Sequence, residues 1–164
     1  MKPILGTSLP SQIAVICKDI EATKRCFAGF LGMEVPPTLD GGEYSVTQCM
    51  YRGKPAETQG CKMAFFQLGP IELEMIEPYG GESVWQDFLD ETGGGLHHIA
   101  FQIPDIDEGI KKCEEYGMTL LQKGFYGDSS GAYAYMDARN TLSCFVELLC
   151  SFPRESFQTD KKHI

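Results

Sequence analysis

The sequence predicts an α+β fold of two tandem βαβββ modules whose antiparallel and mixed strands curl into cups. Three observations predict it. The chain repeats itself. Each copy opens with a strand and a capped helix. The remainder of each copy alternates apolar and polar residues as half-buried strands do. At 164 residues the chain suits one compact domain with a core large enough to need no staples.

The repeat is direct. Gln12-Ile-Ala-Val-Ile-Cys-Lys-Asp-Ile-Glu runs parallel to His98-Ile-Ala-Phe-Gln-Ile-Pro-Asp-Ile-Asp. Ile13 matches Ile99, Ala14 matches Ala100, Asp19 matches Asp105 and Ile20 matches Ile106. Gly32-Met33 answers Gly117-Met118, offset by one residue, and Leu73-Glu74-Met75-Ile76 answers Val146-Glu147-Leu148-Leu149. A unit too small to bury its own apolar face packs against its copy. The expected organisation is a single domain over residues 1–164, with module one at about 9–78, a linker helix at 79–95, module two at 96–150 and a polar tail at 151–164.

Local signals place the elements. In the first copy a strand spans about Gln12 to Cys17, and the Asp19 carboxylate then caps a helix. Ile20, Phe27, Phe30 and Leu31 form the helix's apolar face, and Gly32 stops it. Strands are expected near Tyr44–Tyr51, Lys62–Leu68 and Ile71–Glu77. Glu82–Glu91 reads as a short helix with Val84, Trp85 and Phe88 on one side, and Thr92-Gly93-Gly94-Gly95 is the hinge into the second copy. There the strand is about His98–Ile103, the cap Asp105, the helix face Ile106, Ile110 and Cys113, and the stop Gly117. Later strands lie near Gly131–Met136 and Ser143–Leu149.

Composition narrows the function. The formal net charge of -9 argues against nucleic acid or an anionic membrane as partner, since both need a basic face. No apolar stretch is long enough to cross a bilayer. Met1 to Gly6 carries one lysine and no sustained apolar core, so a secretory signal is not expected and a cytoplasmic location is. Seven cysteines, an odd number without CxxC spacing, read as reduced thiols rather than a disulfide framework or a cysteine zinc site.

Strand alternation sorts side chains into faces. Ile99, Phe101 and Ile103 point one way, onto the helix, and His98, Ala100 and Gln102 the other. Ile13, Val15 and Cys17 face the first helix, while Gln12, Ala14 and Ile16 face away. Glu74 stands between Leu73 and Met75, and Glu147 between Val146 and Leu148. A carboxylate in mid-strand among apolar residues is costly to bury unless it is paired or holds a cation. Gln12 and Glu74 in one copy occupy the positions of His98 and Glu147 in the other. Together they make a four-point cage for a divalent ion, and oxygen and imidazole ligands suit zinc, nickel, cobalt or manganese. His97, next door, is expected on the opposite face, and Glu72, without a repeat counterpart, is left outside the set. His163, in the tail, is not expected to take part.

These segments, with Phe30-Leu31-Gly32-Met33, Ile71-Glu72-Leu73-Glu74-Met75-Ile76-Glu77-Pro78, Gly95-Leu96-His97-His98-Ile99-Ala100-Phe101 and Phe145-Val146-Glu147-Leu148, resemble the vicinal-oxygen-chelate superfamily from Gln12 to about Cys150. That superfamily includes glyoxalase I, methylmalonyl-CoA epimerase, extradiol dioxygenases and the fosfomycin and bleomycin resistance proteins. The central segment looks most like the epimerases. The ligand set Gln, Glu, His, Glu looks most like glyoxalase I. The resemblance implies a metal-dependent isomerase, epimerase or lyase working by proton abstraction next to a metal-bound carbonyl. It implies Glu147 as first base, in the manner of a displaceable ligand, and Glu74 as second. The implied substrate is a carbonyl compound or acyl thioester, and the implied assembly a homodimer.

Departures narrow the branch. Epimerases mostly carry His where Gln12 stands. The arginines that bind glutathione in glyoxalase I fall at Ile16 and Gly94 here, so glutathione is not expected. A ring-cleaving dioxygenase needs a second His. Two alternatives remain: a non-catalytic binder of the bleomycin-resistance type, walled by Tyr44, Tyr51, Tyr126, Tyr133 and Tyr135, and a fosfomycin-type transferase using Arg52, Lys54 and Arg139. The loop Arg52–Gly60 and the segment Phe125–Gly131 are expected to shape the pocket.

Overall fold

The computed structural model describes residues 2–153; the tail from 154 onward, with His163, lies outside the described residues. In chain order the elements are β1 (Gln12–Ile16), α1 (Ile20–Leu31), β2 (Leu39–Asp40), α2 (Tyr44–Thr47), β3 (Met50–Tyr51), β4 (Lys54–Pro55), β5 (Gly60–Leu68), β6 (Ile71–Tyr79), α3 (Val84–Thr92), β7 (Gly95–Gln102), α4 (Ile106–Glu115), β8 (Thr119–Phe125), β9 (Gly131–Asp137), α5 (Arg139–Leu142) and β10 (Phe145–Ser151). The strands form one mixed sheet in the order β2-β5-β6-β1-β7-β10-β9-β8-β3-β4. The order is itself a repeat: β1-β6-β5-β2 on one side answers β7-β10-β9-β8 on the other. The two sides meet at the antiparallel β1–β7 seam, and each first strand pairs in parallel with its copy's last, β1 with β6 and β7 with β10.

Capping explains where the helices begin. Asp19 accepts from Ala22 N at 2.8 Å, and Glu77 accepts from Ile20 N at 2.8 Å. Asp105 accepts from Glu108 N at 2.9 Å, and Ser83 from Gln86 N at 3.0 Å. These bonds satisfy amides that the first turn leaves without partners. Gly32, at φ 67°, ends α1. Ile20, Ala28, Phe66 and Met75 close one core beneath α1, and Ile110, Cys113, Met136 and Leu148 another beneath α4. Trp85 of α3 joins Tyr133, Tyr135 and Ile16 in a third.

Several expectations are corrected. Tyr44–Tyr51 is not one strand. Tyr44–Thr47 is a helical turn, whose last carbonyls are taken by the Gln48 side chain, donating to Tyr44 O at 3.0 Å and Ser45 O at 3.2 Å; only Met50–Tyr51 is extended. Strand β8 went unread because a bulge between Leu120 and Gln122 breaks its alternation. Phe30 is 87% exposed, since it falls beyond the edge of the stripe that Ile20, Phe27 and Leu31 define. Ile13 and Ile99 lie opposite each other at the seam, away from full cover by either helix, and are 37% and 36% exposed.

His97 is corrected as well. Ala14 pairs with His98 and Val15 with Leu96, so His97 is the extra residue of a bulge in β7. Alternation fails there, and His97 turns inward beside His98, both 2% exposed.

The hinge depends on Gly94. Its φ is +110°, and a Cβ there would meet Ile16 O at 2.8 Å. Gly94→Ala is expected to lower unfolding free energy by about 1–3 kcal/mol, measured by urea denaturation; an unchanged midpoint would show that the hinge relaxes freely.

Candidate metal centre

Strand register brings the polar residues together. Across the sheet, Glu74 lies opposite Ala14, and Ala14 opposite His98. In the next row on the same face Glu72 lies opposite Gln12, Gln12 opposite Ala100, and Ala100 opposite Glu147. Glu74 and His98 are thus two strand spacings apart, roughly 10 Å at the backbone. The repeat-matched alanines between them carry only a methyl group. The long side chains lean over these alanines and meet.

Three of the four expected ligands do meet. His98 Nε2 lies 3.1 Å from Glu147 Oε2 and 3.4 Å from Glu74 Oε2. Ligand atoms of Glu74, His98 and Glu147 all lie within 4.8 Å of one another, the one such group among the described residues. All three residues are buried, and apart from these contacts with one another Glu74 Oε2, His98 Nε2 and Glu147 Oε2 have no hydrogen-bond partner. Buried polar atoms are normally satisfied by the surrounding protein, and three that meet only each other fit a cation. Two carboxylates balance a divalent charge, and the N/O donor set matches first-row ions. Gln12 lines the same cavity, but its Nε2 donates to Glu72 Oε2 at 2.9 Å. That bond fixes the amide and leaves Oε1 as its free end. Glu72, set aside for want of a repeat counterpart, is therefore part of the site as Gln12's anchor.

His97, misread from alternation, supports His98. Their Nδ1 atoms are 2.9 Å apart. Burial, and then the neighbouring His98, push His97 well below the usual imidazole range, which keeps it neutral. A neutral His97 can accept from an Nδ1–H of His98, and that arrangement would leave Nε2 as the nitrogen available to a cation. Two adjacent histidines on one strand were the available signal. Phe145 stacks on His97 with centroids 4.5 Å apart. Tyr135, read from sequence only as a wall of the binder alternative, is the cross-strand partner of Glu147 and lines the same cavity. Burial, then the negative charges of Glu147 and Glu74, raise its phenol well above normal, so it remains a donor.

His98, its side chain fully buried, contacts both Glu74 and Glu147, and these two line a cavity of about 640 Å³. Trp85, Tyr126, Tyr133 and Tyr135 wall it, whereas Tyr44 and Tyr51 do not. Segment 125–128 lines it as expected; of the loop 52–60 only Gln59 and Gly60 reach it. None of Arg52, Lys54 and Arg139 lines it. Arg52 pairs with Asp87 and Arg139 with Asp137, each at 2.8 Å, which leaves the phosphonate-binding alternative without its cations. Ile16 is packed in the core and Gly94 has no room for a side chain, so neither position can supply a glutathione-binding arginine.

A cupped sheet with buried carboxylates lining a cavity of this size suits a protein that handles a small molecule. The family model described as Glyoxalase/Bleomycin resistance protein/Dioxygenase superfamily matches residues 11–135, and the chain belongs to that superfamily. It is 34% identical over 93 residues to an uncharacterised protein of Bacillus subtilis, YqjC, covering 56% of this chain and 66% of that one. It is 25% identical over 141 residues to an ethylmalonyl-CoA/methylmalonyl-CoA epimerase of Cereibacter sphaeroides, covering 84% of this chain and 94% of the relative. In fold it resembles the crystal structure of methylmalonyl-CoA epimerase from Mycobacterium tuberculosis, with a TM-score of 0.65 at 15% identity, covering 96% of this chain and 95% of that one. Among the described residues no helix is long and apolar enough to cross a membrane.

The electrostatics give a pH test. Burial alone would lower the imidazole of His98, but the charges of Glu147 and Glu74 outweigh it and raise the metal-free value from 6.5 to about 9. Burial, with Glu147's charge added, raises Glu74 too. The stability that protonated His98 contributes is complete below pH 6.5 and is lost as pH rises through about 9. Metal-free protein is therefore expected to show a falling Tm across that window, while protein saturated with zinc keeps its Tm there. Parallel Tm curves for the two forms would contradict the assignment.

Proposed function

We propose that this chain is a divalent-metal-dependent isomerase, epimerase or lyase that removes a proton from a carbon next to a carbonyl, most similar in chemistry to the acyl-thioester epimerases among its relatives. The observation that carries the reading is the convergence of three buried ligand-type atoms, on Glu74, His98 and Glu147, that have no hydrogen-bond partner outside their own group, beside the cavity that the two glutamates line. Gln12 Oε1 is the proposed fourth ligand. A bound ion supplies Lewis acidity toward a carbonyl oxygen, where negative charge develops in this reaction.

The chain's own groups move the proton. Glu147 is the proposed base: it takes the proton from the carbon, and the electron pair of the broken C–H bond shifts toward the carbonyl oxygen. Tyr135, held protonated, orients Glu147. Glu74, raised by burial, takes up a proton readily and is the proposed partner for returning one to the opposite face, which inverts the carbon. Return by Glu147 to the neighbouring atom gives a 1,2-shift. The aromatic walls exclude water, so the carboxylates compete with little solvent. Absence of side-chain room at Gly94 and the buried Ile16 favour this branch over glutathione chemistry. Pairing of two copies belongs to the same reading, with Ile13 and Ile99 as an apolar strip on the outer face of the seam.

The aromatic wall also favours a second reading, a non-catalytic binder of the bleomycin-resistance type. Elemental analysis separates the two. Protein expressed with zinc, nickel, cobalt and manganese available is expected to carry a stoichiometric ion that His98→Ala loses; a metal-free native protein favours the binder. For activity, metal-loaded protein is expected to exchange the α-proton of an acyl thioester or 2-oxo compound in heavy water, read by NMR. Glu147→Gln should slow this by about 10²–10⁴-fold. Loss of less than threefold would remove Glu147 as base.

A further inference from the structure

The cavity carries charge of one sign. Glu74 and Glu147 stand at its floor, Glu72 is half-buried beside Gln12, and Asp40 and Asp128 are exposed at its rim. Among the described residues that line it there is no lysine or arginine. Lys62, on neighbouring β5, is paired with Glu77 at 2.8 Å.

The rim carboxylates are held in place. Asp40 accepts from the Tyr79 hydroxyl at 2.7 Å and from Gly42 N at 2.9 Å. Asp128 accepts from Ser130 N at 2.9 Å and Ser130 Oγ at 2.6 Å. The loops that carry them touch, since a Cβ on Gly42 would lie 2.6 Å from Gly127 Cα. Further in, the buried Gln59 Oε1 and Thr47 Oγ1 have no hydrogen-bond partner, and both residues line the cavity. Gln59 offers an acceptor and Thr47 a hydroxyl, and Trp85 Nε1, also lining the cavity, is a buried donor without a partner.

A divalent ion is balanced by Glu74 and Glu147 alone. Nothing then offsets Glu72, Asp40 and Asp128. Low-dielectric walls focus their field into the cavity and repel an anion from it. Granting the metal centre proposed above, we infer that the cavity takes a carbonyl substrate whose remaining part is uncharged or cationic, and that it discriminates against one bearing a carboxylate or phosphate there. A methylmalonyl group, with its free carboxylate, belongs to the disfavoured class.

Three chelators of one length test this: butyrohydroxamic acid, β-alanine hydroxamate and succinic monohydroxamate. They share the metal-binding group and differ only in a neutral, cationic or anionic end. Cobalt content is fixed first by elemental analysis, and each compound is then titrated calorimetrically into the cobalt-loaded protein. The first two are expected to bind at least about tenfold tighter than the third, and the gap to shrink in about 0.5 M salt. Asp40→Asn with Asp128→Asn keeps the acceptors. It should tighten the anionic compound and leave the neutral one unchanged; should that variant not fold, the salt series on the wild type decides.

Equal or tighter binding of succinic monohydroxamate to loaded protein overturns this inference and leaves the metal centre standing. Failure to take up cobalt overturns the metal centre and the inference with it. Loaded protein that binds none of the three overturns the inference.

Discussion

Two carboxylates and an imidazole are buried together, and most of the molecule is arranged around that fact. Burying Glu74 and Glu147 side by side is expensive, because each loses hydration and each repels the other. In the metal-free protein the nearest remedy is a proton on His98, which the two charges pull to about 9. A proton between two carboxylates and a divalent cation among three ligands answer the same electrostatic demand. The proton satisfies it only while the solution supplies protons; the cation satisfies it independently of pH once bound.

The fold supplies this cluster through duplication. Glu74, His98 and Glu147 come from β6, β7 and β10, strands of both copies, and meet only because the copies join at the β1–β7 seam. Ala14 and Ala100 keep the middle of that seam low. The bulge at His97 sets a second imidazole against the His98 nitrogen that faces away from the carboxylates. Outside this centre the walls are aromatic near the floor and acidic toward the rim. That combination ties substrate choice to charge as well as shape.

Much of this was legible in the sequence where the cause was local or repeated. Asp19, Gly32 and Asp105 mark helix ends by bonding their own neighbouring backbone, and those marks hold. The repeat located Glu74, His98 and Glu147 together, since duplicated positions occupy equivalent places in three dimensions. What was not legible depended on partners distant in sequence. His97 was assigned to the wrong face because a bulge forms against β1, and nothing within β7 announces it. Glu72 was passed over because its role is to hold Gln12, sixty residues away. Strand β8 hides behind its own bulge, where Leu121 is the extra residue, and Gln122 beyond it accepts from Val84 N at 2.9 Å at the start of α3. Tyr44–Thr47 has alternation enough for a strand, but Gln48 closes it as a turn.

Crystals grown with cobalt test most directly whether a single ion is shared by Glu74, His98 and Glu147. Diffraction recorded on both sides of the cobalt edge is expected to give one strong anomalous peak on the cavity floor, about 2.0–2.2 Å from His98 Nε2 and from an oxygen of each glutamate. A peak elsewhere on the molecule, or none in crystals of cobalt-saturated protein, would contradict the account.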